Sequence, residues 1–142
     1  MPTRQESIDF ILDHYEHPRH RGVLTDASLV LQGGNPGCGD VLTFYLRLGA
    51  DGRVAAVAFE GEGCTISQAA ASVMTDKVLG LTLAELTTMD QEALIDELGR
   101  EVVSTRIRCA TLALNLLKTA EPQFRSRGRN GAAGPAPDAP PA

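Results

Sequence analysis

An α+β fold is the architecture this sequence predicts, on three observations. β-rich runs cluster in the first half of the chain, after one N-terminal helical stretch. Helical patterns fill the second half instead of alternating with strands. An Asp-Gly pair, Asp51-Gly52, joins two of the β-rich runs as a hairpin.

The elements follow in chain order. Residues 4–16 read as a helix with Ile8, Ile11, Leu12 and Tyr15 on one stripe, ended by Pro18. Residues 28–32 are a short strand. A breaker-rich loop follows, Gly33-Gly34-Asn35-Pro36-Gly37-Cys38-Gly39-Asp40. Residues 41–48 form the first hairpin strand, and Arg53 to Glu60 the second. In that second strand Val54, Ala56 and Ala58 share one face, and Val57 and Phe59 the other. Residues 65–79 are helical, with Ala69, Ala70 and Ala71 favouring the helix and allowing close packing, and Gly80 fits its stop. Thr82 to Thr88 and Gln91 to Leu98 are short amphipathic helices, the second capped by Asp90. A last helix over 105–120 is apolar nearly all round, as a buried or interface helix is. No internal repeat is present.

Composition bounds the function. A chain of 142 residues makes one domain the default, and 43% apolar with 22% charged residues is ordinary for a globular protein. The expected domain is 1–121. Residues 122–142 hold five Pro, three Gly and no aliphatic larger than Ala, and are expected to form a disordered tail. No apolar run reaches 18 residues, so no membrane partner is expected. The N-terminal MPTRQESIDF lacks a basic-then-apolar export pattern, so a cytoplasmic location is expected. The net charge is −5. The tail's three arginines against Asp138 give it +2, which leaves −7 on residues 1–121. An acidic body with no Trp, two Tyr and four Phe argues against nucleic acid as the partner.

The chemistry lies with three cysteines, Cys38, Cys64 and Cys109. Their odd count and wide spacing do not suggest a disulfide framework. Three small buried hydrophobes is one reading of them. Their positions favour another. Cys38 lies in the Gly-rich loop, Cys64 at a strand-to-helix junction and Cys109 in the first turns of a helix, and helix N-termini favour a thiolate. Asp40 stands two residues after Cys38. In extended backbone the two face one side and can meet one ion. Three thiolates and a carboxylate complete a tetrahedral site for zinc or iron. A turn or strand-end cap is the other reading of Asp40. Arg106, one helical turn before Cys109, is a candidate electrostatic partner for Asp40 or for the thiol; a solvated helix face is the alternative. His14, His17 and His20 form His-x2-His-x2-His, but Pro18 interrupts it, and the reading is structural.

Four segments carry a resemblance. They are Asp13 to Gly22 (DHYEHPRHRG), Asn35-Pro36-Gly37-Cys38-Gly39-Asp40, Gly63-Cys64-Thr65-Ile66-Ser67-Gln68-Ala69, and Arg106-Ile107-Arg108-Cys109-Ala110-Thr111-Leu112-Ala113. In this order and spacing the sequence resembles the IscU/SufU/NifU N-terminal family of iron–sulfur cluster assembly proteins. Arg108 stands before Cys109 where IscU-like members carry His, which is SufU-like. The 44 residues between Cys64 and Cys109 are close to the IscU spacing, since SufU members usually carry an insertion there. The resemblance implies a small antiparallel sheet with helices mainly on one face and the cysteines converging at one end. It implies a metal site of Cys38, Asp40, Cys64 and Cys109 holding zinc or a transient [2Fe-2S]-type cluster. It also implies Cys38 as sulfur acceptor, a SufS- or IscS-like cysteine desulfurase as partner, and apo-proteins as recipients.

Two other function classes compete with an assembly factor that relays sulfur or scaffolds a cluster. A structural zinc module without transfer activity would need a closed cage with ligands in close pairs, whereas these ligands come from three distant segments and include an oxygen. A thiol redox protein would carry Cys-x-x-Cys, which is absent. Whether the transfer counts as enzymatic, and the oligomeric state, are left open by the sequence.

Overall fold

The computed structural model describes residues 3–35 and 39–129. The elements are α1 (Arg4–Glu16), β1 (Leu29–Asn35), β2 (Asp40–Leu48), β3 (Val54–Glu62), α2 (Thr65–Val78), α3 (Leu83–Leu86), α4 (Gln91–Leu98), α5 (Arg100–Val103), α6 (Ile107–Leu117) and α7 (Ala120–Arg129). The α+β order is therefore the observed one.

The three strands form one antiparallel sheet in the order β1-β2-β3. The register places Leu31 opposite Phe44, and Phe44 opposite Phe59. Period-two alternation then sends Leu29, Leu31, Leu42, Phe44, Leu46, Val57 and Phe59 to one face, where all are buried. Val30 and Val41 point to the other face and are exposed. The helices pack on the buried face: α2 against β3, and α6 against β1 and β2, with α2 and α6 also touching each other. Ala69, Ala70 and Ala71 are fully buried because α2 is surrounded by α1, α6 and β3, and only small side chains let three neighbours approach so closely. Leu114 and Leu117 of α6 are likewise buried, each worth roughly 1.5–3 kcal/mol of transfer free energy.

Helix α1 opens with a capping box. Glu6 N–H donates to Thr3 Oγ1 at 3.1 Å, and Thr3 N–H donates to Glu6 Oε1 at 2.8 Å. Its buried stripe is Ser7, Ile11 and His14, not the expected Ile8-Ile11-Leu12-Tyr15; Leu12 and Tyr15 are exposed. The helix is rotated because α2 offers Ser72 as a polar partner for His14 Nδ1 at 2.7 Å. The same Ser72 Oγ accepts Arg19 N–H at 2.8 Å. Burial holds the His14 imidazole below its usual pKa.

The chain's second half differs from expectation at its end. Helix α7 runs over Ala120–Arg129, past the Pro122 at which the sequence reading ends the ordered domain. Pro122 falls in the first turn of α7, where a missing N–H costs no intrahelical bond. Ala120 is fully buried, and α7 lies against α3 and β1. Residues 130–142 lie outside the described residues.

Candidate metal centre

The centre is built where β2 begins and two helices begin. Asp40 is the first residue of β2, and its carboxyl is on the same face as Leu42, at the sheet's end. It is 1% exposed. A buried carboxylate survives only if its oxygens are taken up, and both are. Oδ1 accepts the backbone N–H of Cys64 at 2.8 Å, and Oδ2 accepts the Cys109 thiol at 3.0 Å. Gly63 makes the space. A Cβ on Gly63 would overlap Asp40 Oδ1 and come within 2.8 Å of its Cα, and the φ of +136° is one that L side chains rarely adopt.

Cys64 is the N-cap of α2. Its Sγ accepts the Ser67 N–H at 3.4 Å, and Ser67 Oγ returns a hydrogen bond to the Cys64 carbonyl at 3.0 Å. This ties the half-buried sulfur to the first turn, where free N–H groups favour negative charge. Cys109 is the third residue of α6 and is buried. One ligand atom from each of Asp40, Cys64 and Cys109 falls within 4.8 Å of the others. Segments 24 and 69 residues apart from Asp40 in sequence thus meet at a single point.

Burial, then hydrogen bonds to Asp40 and Cys64, push the Cys109 thiol up to about 12. The expectation that a helix N-terminus would favour a thiolate does not hold for this residue, because desolvation and an adjacent carboxylate outweigh the dipole. Cys109 is therefore a protonated donor at neutral pH until a cation displaces its proton. Two sulfurs and a carboxylate oxygen suit zinc or ferrous iron. The cradle that Gly63 leaves for Asp40 presents the carboxylate to both cysteines, so the residues fit a metal ion.

Not every sequence candidate joins this cluster. Cys38, the expected fourth ligand and sulfur acceptor, lies outside the described residues. Arg106 is the N-cap of α6 and is exposed. Among the described residues its side chain makes no hydrogen bond or ion pair, so it does not pair with the buried Asp40. The histidines are structural in their contacts: His14 bonds Ser72, while His20 bonds Thr75 at 3.0 Å and lies 3.6 Å from Asp76. Two contributors escaped the sequence reading. Gly63 and Ser67 stand in the sequence only as members of the Gly63–Ala69 segment, with no role of their own. Ser67's signal is its spacing of three from the N-cap, where an N–H must find a partner.

Residues 6–130 match the family model described as the NifU-like N terminal domain. The chain belongs to this family. Its sequence is 37% identical over 128 residues to the zinc-dependent sulfurtransferase SufU of Bacillus subtilis strain 168, covering 76% of this chain and 84% of that one. It is 32% identical over 122 residues to the iron-sulfur cluster assembly scaffold protein IscU 1 of Archaeoglobus fulgidus, covering 85% of this chain and 78% of the relative. The fold is shared with the crystal structure of a putative iron-sulfur cluster assembly scaffold protein for the SUF system from Fervidobacterium islandicum AW-1. There the TM-score is 0.66 at 28% identity, over 79% of this chain and 93% of that one.

Proposed function

We propose that this protein is an iron–sulfur cluster biogenesis factor. It accepts persulfide sulfur from a cysteine desulfurase and delivers it onward, with Asp40, Cys64, Cys109 and Cys38 holding zinc, and recipient apo-proteins as the final destination. The observation that carries this reading is the meeting of Asp40, Cys64 and Cys109 at one point. A carboxylate among thiols is a harder, more exchangeable donor than a fourth sulfur, which suits a site that opens and not a closed structural cage. Cys64 is half-buried, while Asp40 and Cys109 are buried.

The relay form is favoured by Arg108 before Cys109 and by the relative named as a zinc-dependent sulfurtransferase. A scaffold form, in which the same ligands hold a nascent cluster as cargo, is favoured by the relatives named as scaffolds. When bound, zinc would keep thiols deprotonated at neutral pH. The protein's own residues do the rest. Asp40 orients the Cys64 backbone and the Cys109 thiol, and Ser67 holds the Cys64 sulfur. Cys38, on a segment rich in glycine, is the nucleophile. Its thiolate attacks the outer sulfur of the desulfurase persulfide, that S–S bond breaks, and the desulfurase cysteine leaves as a thiolate. Such chemistry belongs in the cytoplasm, where thiols stay reduced.

The test is to mix the protein with a cysteine desulfurase and cysteine labelled with a stable sulfur isotope, and to locate the label by mass spectrometry. The expected result is persulfide on Cys38, absent in Cys38→Ser. Label on Cys109 alone would move the acceptor role to α6. Cluster assembly without label or rate change would favour the scaffold.

A further inference from the structure

One buried polar atom next to the centre has no partner. Gln68 is 4% exposed, and its Oε1 is the single buried side-chain N or O among the described residues with no hydrogen bond. A buried amide oxygen left unpaired costs about 1–3 kcal/mol, so it needs a reason. Gln68 follows Cys64 by one helical turn on α2. Its Nε2 lies 3.5 Å from Ser67 Oγ, which in turn donates to the Cys64 carbonyl. The amide is therefore linked to Ser67, the residue whose N–H holds the Cys64 sulfur.

The sheet below makes room for it. Gly61 is the Cα partner of Leu42, and a Cβ on Gly61 would lie 3.0 Å from Gln68 Oε1 and 2.6 Å from Leu42 Cδ2. Two residues further along each strand, Gly63 cradles Asp40 in the same manner. Gln68 thus follows Cys64 by four residues on α2, with its Oε1 against Gly61, two residues from the glycine that cradles Asp40. An apolar side chain would fill that position without an orphaned oxygen.

We infer that Gln68 is a positioning residue of the metal centre, whose Oε1 accepts a hydrogen bond from a water molecule held with the bound ion. This rests on the reading of Asp40, Cys64 and Cys109 as a metal site. In the metal-free protein the amide is a local liability; in the loaded protein it is satisfied. Stability and affinity therefore change in opposite directions when the oxygen is removed, which a core-filling role does not produce.

The experiment uses the full chain and its Gln68→Met and Gln68→Leu variants. Three quantities are read: metal-free Tm, zinc Kd by competition with a chromophoric chelator, and the visible spectrum with cobalt(II) in place of zinc. Gln68→Met should melt at or above wild type without metal, bind zinc about tenfold more weakly, and shift the cobalt bands. Gln68→Leu reads the same quantities should the Met variant fail to fold. Wild-type zinc affinity and an unchanged cobalt spectrum in either folded variant would overturn the inference and leave the metal centre standing. A lower metal-free Tm with unaltered affinity would assign Gln68 to packing. Absence of zinc binding by the wild type would overturn both this inference and the metal centre itself.

Discussion

Helices α2 and α6 each bring a cysteine to the centre at their first turn, yet the two sulfurs behave as opposites. Cys64 stands at the N-cap, half-buried, and its sulfur accepts an N–H from Ser67. Cys109 sits three residues into its helix, buried, and its sulfur donates to Asp40. The helix N-terminus is common to both, so it does not decide their chemistry. Depth and neighbours decide it: burial and a carboxylate keep a proton on Cys109. The pair gives the site one sulfur that accepts a backbone N–H and one that donates to a carboxylate.

The largest expected effect comes from removing what holds the comparison together. Gly63→Ala puts a methyl into the Asp40 carboxyl and forces an L residue to φ +136°. It should cost about 3 kcal/mol of stability, read as a lowered urea midpoint. An unchanged midpoint would mean that Gly63 does not set the position of Asp40.

Next comes the carboxylate. Asp40→Asn removes the negative charge beside Cys109 while keeping an acceptor, so the Cys109 thiol should titrate below its value of about 12. Alkylation of the metal-free protein as a function of pH, followed by peptide mapping, checks this. An unmoved Cys109 profile would leave burial and the Cys64 contact as the causes. Asp40→Ala should leave zinc bound by thiolates and slower to exchange, measured by transfer to a chelator.

A smaller effect belongs to His14, away from the centre. Its folded-state pKa lies below the usual 6.5 because the ring is buried. The unfolded chain therefore takes up a proton first, and stability should be constant above about pH 6.5 and fall as pH drops below it. Urea midpoints between pH 7.5 and pH 5 read the trend, and His14→Gln should flatten it. The smallest effect is expected at the chain end. Truncation after Glu121 removes most of α7 but keeps the buried Ala120, and should lower stability by about 1 kcal/mol or less.

The candidate residues and the convergence of Asp40, Cys64 and Cys109 were legible in the sequence; the hydrogen bonds among them were not. Cys64 and Cys109 stood out by position at helix starts, and Asp40 by its place beside Cys38 between glycines. The hairpin was legible from Asp51-Gly52. Asp40's double hydrogen bond was not, because it depends on the β2–β3 register and on α6 arriving from 69 residues away. The reversal of Cys109's protonation needed burial, which no local pattern supplies. The rotation of α1 escaped because apolar periodicity ignores a polar partner such as Ser72. Helix α7 escaped because Pro122 reads as a stop, although the first turn accepts it. Gln68 stood in the sequence only as a member of the Gly63–Ala69 segment, since an amide on a helix is ordinarily taken as solvated.

A zinc titration of metal-free protein across pH tests the central claim most directly, comparing wild type with Cys64→Ser and Cys109→Ser. The account predicts one zinc per chain and affinity that falls by at least about tenfold for each unit of pH lost, because the Cys109 proton must leave on binding. Either serine variant should weaken binding sharply, since a hydroxyl is a poor zinc ligand. Wild-type affinity in Cys109→Ser, or affinity independent of pH, would contradict the assignment of Asp40, Cys64 and Cys109 as one metal centre.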